Sequence, residues 1–151
     1  MNVFEQIKND FNQALKAKDE LVILVLRQIK TAVTNAEIIK NREEVTEEEL
    51  IKLLRSEVKK RKESARLYEQ GKRAELAEKE LKEIKIIKKY LPPELGEEAI
   101  EQKIQAIVEK LGASGPQDTG RVMGAVMKEL AGQADGNVVS KLVKEALSPK
   151  E

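Results

Sequence analysis

No cysteine, no histidine and no tryptophan occurs anywhere in the 151 residues. That removes disulfides, zinc sites built from Cys or from Cys with His, thiol nucleophiles and imidazole bases at once. Aromatic residues make up 3%, two Phe and two Tyr, so reading of single-stranded bases by stacking is not expected. No apolar run approaches the roughly 18 residues of a membrane span, and Met1 to Asp10 lacks the basic start and apolar middle of a signal peptide. On that ground no membrane partner is expected, and the expected compartment is cytoplasmic. A dominant charge sign is missing too. The net charge is +1, with 21 Lys and Arg against 17 Asp and Glu over residues 1–91 and 7 against 10 over residues 92–151. Neither part carries the strongly basic footprint of a dedicated nucleic-acid binder.

What is present favours helices. Charged residues reach 36% and hydrophobic residues 40%, with Ala, Glu, Lys, Leu and Arg prominent, a composition typical of long surface-charged helices. The expected fold class is all-α. Asn2 with Glu5, and Thr46 with Glu49, have the spacing of capping boxes, and Asp19 can cap a helix whose opening, Leu21 to Leu26, is apolar on every face. A segment of that kind is expected to be buried all round. Phe4, Ile7, Phe11, Ala14 and Leu15 gather on one face of the first helix, and Leu50, Leu54, Val58, Ala65 and Tyr68 on one face of the third. Gly71 is placed to end that third helix in the left-handed conformation. A fourth helix is expected from about Arg73 to Leu91, with Leu76, Ala77, Leu81, Ile84, Ile87 and Leu91 inward, antiparallel to the third. Pro92 and Pro93 then stop it. The expected organisation is an N-terminal four-helix domain over 1–91 and a small three-helix domain over 94–148.

On the third helix Lys52, Arg55, Lys59, Lys62 and Arg66 advance by alternating three- and four-residue steps, a basic stripe on one side of a rod. Such a stripe either follows a phosphate backbone or is a solvated face laced by pairs such as Glu48 with Lys52 and Glu63 with Lys59. The solvated face is the commoner case.

The C-terminal stretch from Asp118 to Leu147 spends glycine where a helix prefers alanine. Gly120 and Gly124 lie four apart among Val122, Met123, Val126, Met127 and Leu130, and each costs a helix about 1 kcal/mol relative to alanine. Two compensations stay open. Another helix can pack closely there, the more frequent case in soluble proteins, or the bare patch can meet a sugar-phosphate backbone or a partner protein. Before it, Ser114 with Gln117 has the spacing of a helix start; after it, Asp135 is placed to cap the last helix.

The run DTGRVMGAVMKELAGQADGNVVSKLVKEAL, together with KAKDELVILVLRQIKTAVTNAEI, RKESARLYEQGKRAELAEKELKEI and KKYLPPEL, resembles the YqeY family over nearly the whole chain. The C-terminal part of that family is similar to the tail domain of the B subunit of the glutamine-dependent aspartyl/glutamyl-tRNA amidotransferase. The resemblance implies a bacterial protein of two helical parts whose tail-like domain helps to hold tRNA. It implies Arg121, Lys128, Lys141 and Lys144 as phosphate contacts, with Gly120, Gly124 and Gly132 allowing close approach. No part resembles the catalytic cradle of the complex. A carbon-nitrogen ligase activity with glutamine as amido-N-donor would come from the complex, so no catalytic residue, metal or cofactor is assigned. The expected function is a non-catalytic tRNA-binding or accessory module, the tRNA held weakly and by shape. The alternative is a protein adaptor docking on an amidotransferase or an aminoacyl-tRNA synthetase.

Overall fold

The computed structural model describes residues 1–130 and 133–149, and the described residues are helical with no strand. The all-α expectation holds. The chain divides into two compact units, Met1–Leu91 and Pro92–Glu151.

The first unit contains α1 (Val3–Ala17), α2 (Glu20–Ile39), α3 (Glu47–Gln70) and α4 (Ala74–Lys88). Their starts are fixed locally. The Glu5 amide donates to Asn2 Oδ1 at 2.9 Å and the Asn2 amide to Glu5 Oε2 at 3.2 Å, closing the first capping box. Thr46 and Glu49 repeat the arrangement at the head of α3, and Asp19 accepts from the Val22 amide at 3.3 Å at the head of α2. Each such cap satisfies helix N–H groups that lack an intrahelical partner, worth about 1 kcal/mol.

The core of this unit joins Ile7 of α1, Val25, Leu26 and Ile29 of α2, Leu50, Leu54 and Val58 of α3, and Ile84 and Ile87 of α4. α3 and α4 form the most extensive helix pair. Three local expectations are corrected. Gly71 has φ −82°, and the left-handed residue that turns the chain is Lys72 at φ 57°. Leu24 stays 39% exposed, so the apolar opening of α2 is not surrounded on every side. On α4, Leu76 and Leu81 are exposed while Glu83 is buried. Ala77, Ile84 and Ile87 stay inward as expected, and Glu83, beside Ile84 on that face, meets the buried Arg61 of α3 at 3.8 Å.

The second unit contains α5 (Glu97–Leu111), a short 3-10 helix (Pro116–Asp118), α6 (Thr119–Leu130) and α7 (Gly136–Leu147). The three α-helices pack pairwise around one core, with Ile100 and Ile104 of α5, Val122 and Val126 of α6, and Val139 and Val143 of α7. Gly112 ends α5 at φ 64°, a conformation open to glycine at little cost. The expected Ser114 cap is reversed: the Ser114 amide donates to Asp118 Oδ2 at 3.0 Å. The chain turns into the 3-10 helix at Pro116, so the acceptor must come from downstream. Asp135 caps α7 by accepting from the Asn137 amide at 2.7 Å.

Candidate nucleic-acid interface

α6 buries Val122, Val126 and Leu130 on one side. At 3.6 residues per turn, Gly120, Gly124, Arg121 and Lys128 fall on the opposite side, and all four are exposed. Apart from the backbone of α6 itself, no described heavy atom lies within 4 Å of where a Cβ would stand at Gly120 or Gly124. Among the described residues no other helix packs closely over either glycine. What remains is a solvent-facing strip of helix backbone bare of side chains over one turn, with cations beside it. Gly132 lies outside the described residues.

The cations differ in freedom. Arg121 Nη2 donates to the Leu111 carbonyl at 3.2 Å and to Asp118 Oδ1 at 3.3 Å, so its guanidinium closes the last turn of α5. Lys128 has no ion pair among the described residues. Lys141 and Lys144 lie on the solvent side of α7, opposite Val139, Leu142 and Val143. Because α6 and α7 share one core, their outer faces point apart. The four positions divide into an α6 pair beside the glycines and an α7 pair on another face.

The stripe on α3 is similarly thinned. Lys52, Lys59, Lys62 and Arg66 are exposed and Arg55 is half-buried. Lys52 pairs with Glu48 at 3.8 Å. Glu63, expected to pair with Lys59, is held by Arg66, whose Nε donates at 3.0 Å and whose Nη2 donates alongside it. The planar guanidinium fork matches a carboxylate better than an ammonium does. That pairing holds the Glu63 carboxyl below its ordinary value. Lys59 and Lys62 are left without an ion pair among the described residues.

Sequence reasoning missed a buried polar cluster around Arg61 and Glu83. Arg61 Nη1 donates to Glu57 Oε2 at 2.7 Å, and Arg61 Nη2 to Gln28 Oε1 of α2 at 2.5 Å. Its only signal was position, since Arg61 falls between Leu54, Val58 and Ala65 on the inward face. Among the described residues no group of acidic side chains is arranged to hold a metal ion, and no helix is long and apolar enough to cross a membrane.

The family described as Yqey-like protein matches residues 4–147. The chain belongs to the YqeY-like family. Among curated proteins it is similar to "Altered inheritance of mitochondria protein 41, mitochondrial" of Clavispora lusitaniae, 35% identical over 85% of this chain and 74% of that protein. The protein of the same name in Pyrenophora tritici-repentis is 28% identical over 98% and 82%, and that of Saccharomyces cerevisiae 28% identical over 85% and 68%. These YqeY-like relatives correct the expectation of a bacterial, cytoplasmic protein: they are fungal and bear the word mitochondrial in their names. The bacterial part of that expectation came from the resemblance, and the cytoplasmic part from reading Met1 to Asp10 as unlike a signal peptide, which does not exclude an organelle.

Proposed function

We propose that this YqeY-like chain is a non-catalytic module that holds tRNA through the outer face of α6. The observation that carries the reading is the pair of exposed helical glycines with open space over both. Each lowers helix stability by about 1 kcal/mol with no packing return among the described residues. A sugar-phosphate backbone is a partner for which a missing Cβ permits closer approach. Arg121 and Lys128 stand on the same face, Arg121 already fixed in direction by Leu111 and Asp118. The resemblance to the amidotransferase tail domain read from the sequence of residues 118–147 is in keeping with the same partner.

Because the α6 and α7 cations face apart, one RNA duplex meets about two of them at a time. Affinity should then be weak, of order 10⁻⁶ M or poorer, with a shallow log-log salt slope of about −2. A gel-shift series with bulk tRNA at rising salt tests this; no shift at the lowest salt would overturn it.

A second reading, docking of the same glycine face on an amidotransferase or synthetase, is favoured by the net acidity of residues 92–151. It differs in being insensitive to moderate salt and in surviving replacement of Lys128. The names of the fungal relatives state no ligand or activity and weigh for neither reading.

A further inference from the structure

We infer that the N-terminal unit carries a separate docking trough for an acidic amphipathic helix of a partner protein, independent of the tRNA reading. Between α1, α2 and the head of α3 lies an open apolar cleft of about 260 Å³. Phe4, Ile7, Ile29, Val33 and Leu50 form its floor and walls, and Lys8, Lys30 and Thr34 its rim. A second hollow of about 340 Å³ shares Thr34 and continues to Ile38 and Arg42, with Glu37 on its wall. Ile38 is 61% exposed there. From Ile29 to Ile38 the trough follows α2 for about 14 Å at 1.5 Å per residue. That length matches apolar side chains at positions i, i+4 and i+7 of a facing helix, the spacing of helix-in-groove recognition.

Charge selects the occupant. Lys30 Nζ sits 4.5 Å and Arg27 Cζ 5.9 Å from the centre of the Phe11 ring, and Lys8 stands across the cleft on α1. No ion pair neutralises Lys8, Arg27 or Lys30 among the described residues. Three carboxylates near the first cleft are engaged elsewhere, and Glu37 lies beyond it, on the wall of the second hollow with Arg42. Glu5 accepts from the Asn2 amide, Asp10 from Tyr90 and Lys89, and Glu47 from the Val3 amide. From Leu21 to Ala36, α2 holds Arg27 and Lys30 and no acid. Two unneutralised cations on the rim of the apolar cleft, Lys8 and Lys30, complement a helix with one apolar face and flanking Asp or Glu.

The test selects binders to the full chain from a phage library of randomised helical peptides. Enriched peptides should show apolar residues at i, i+4 and i+7 flanked by carboxylates. They should lose at least tenfold affinity to Lys8→Glu/Lys30→Glu and to Val33→Phe, which fills the cleft. Circular dichroism melts confirm that the variants fold, and the first pair is on exposed residues. Enrichment of peptides without acidic flanks, or of peptides indifferent to both variants, would overturn the proposal. So would stronger binding of the chain to phosphatidylglycerol vesicles, lost in the Lys8→Glu/Lys30→Glu variant, than to any selected peptide, since that would make the trough a lipid contact.

Discussion

Tyr90 donates its hydroxyl proton to Asp10 Oδ2 at 2.5 Å, tying the end of the first unit back to its first helix. Lys89 Nζ reaches the same oxygen at 3.0 Å. Tyr90 is almost wholly buried and its phenol needs a partner there.

This tie makes stability depend on pH at both ends. The Tyr90 hydrogen bond, with Lys89 adding to it, holds the Asp10 carboxyl below its ordinary value. A lowered carboxylate stabilises above its unfolded pKa, and that contribution is lost as pH falls through the folded value. Burial, then Asp10, raises the Tyr90 phenol, so its contribution is present below the ordinary tyrosine pKa of about 10 and is lost as pH rises through the folded value. Tyr90→Phe should cost about 1–2 kcal/mol near neutral pH and flatten both limbs of a melting-temperature profile.

Arg61 should be among the most sensitive positions in the chain. It joins α2, α3 and the inward Glu83 of α4, and removing it strands the buried Glu83 carboxylate and the partly buried Glu57. Arg61→Met is expected to cost about 3–5 kcal/mol in urea unfolding. The neighbouring Glu80 is raised by burial and by Glu83. Its contribution is therefore present below the unfolded pKa and lost as pH rises through the folded one. Glu80→Gln should raise the urea midpoint at neutral pH and leave it unchanged in acid, where a loss at neutral pH would count against this account.

Gly120→Ala and Gly124→Ala should each stabilise the chain by about 1 kcal/mol, because both positions are exposed with open space where a Cβ would go. The same substitutions should weaken tRNA binding. A gain in melting temperature with unchanged affinity would show that the bare strip has no ligand of this kind.

Lys128 and Arg121 should separate charge from structure. Lys128→Ala is expected to reduce the salt slope of tRNA binding by about 1 with the melt unaltered. Arg121→Ala should lower stability as well, since it removes the donor to the Leu111 carbonyl. Parallel salt titrations and melts of the two variants distinguish them.

Helix starts were legible in the sequence because caps are local: Asn2 with Glu5, Thr46 with Glu49, and Asp135 each bond within three residues. Failures came where a distant group decided. Nothing near Leu81 announces that it is exposed, or that Glu83 faces Arg61 of another helix. Gly71 was one residue off because the left-handed turn fell on Lys72. The pairing of Glu63 with Arg66 over Lys59 turned on guanidinium geometry, which spacing alone does not rank. At the candidate interface, the sequence found Gly120 and Gly124 but left two compensations open, and the space over both shows only that no described side chain packs there.

The central claim rests on the outer face of α6, and amide NMR of the full chain titrated with bulk tRNA at low salt tests it most directly. The account predicts shifts centred on Gly120, Arg121, Gly124 and Lys128 that vanish as salt rises. Shifts confined to residues 1–91, or none on α6, would contradict it.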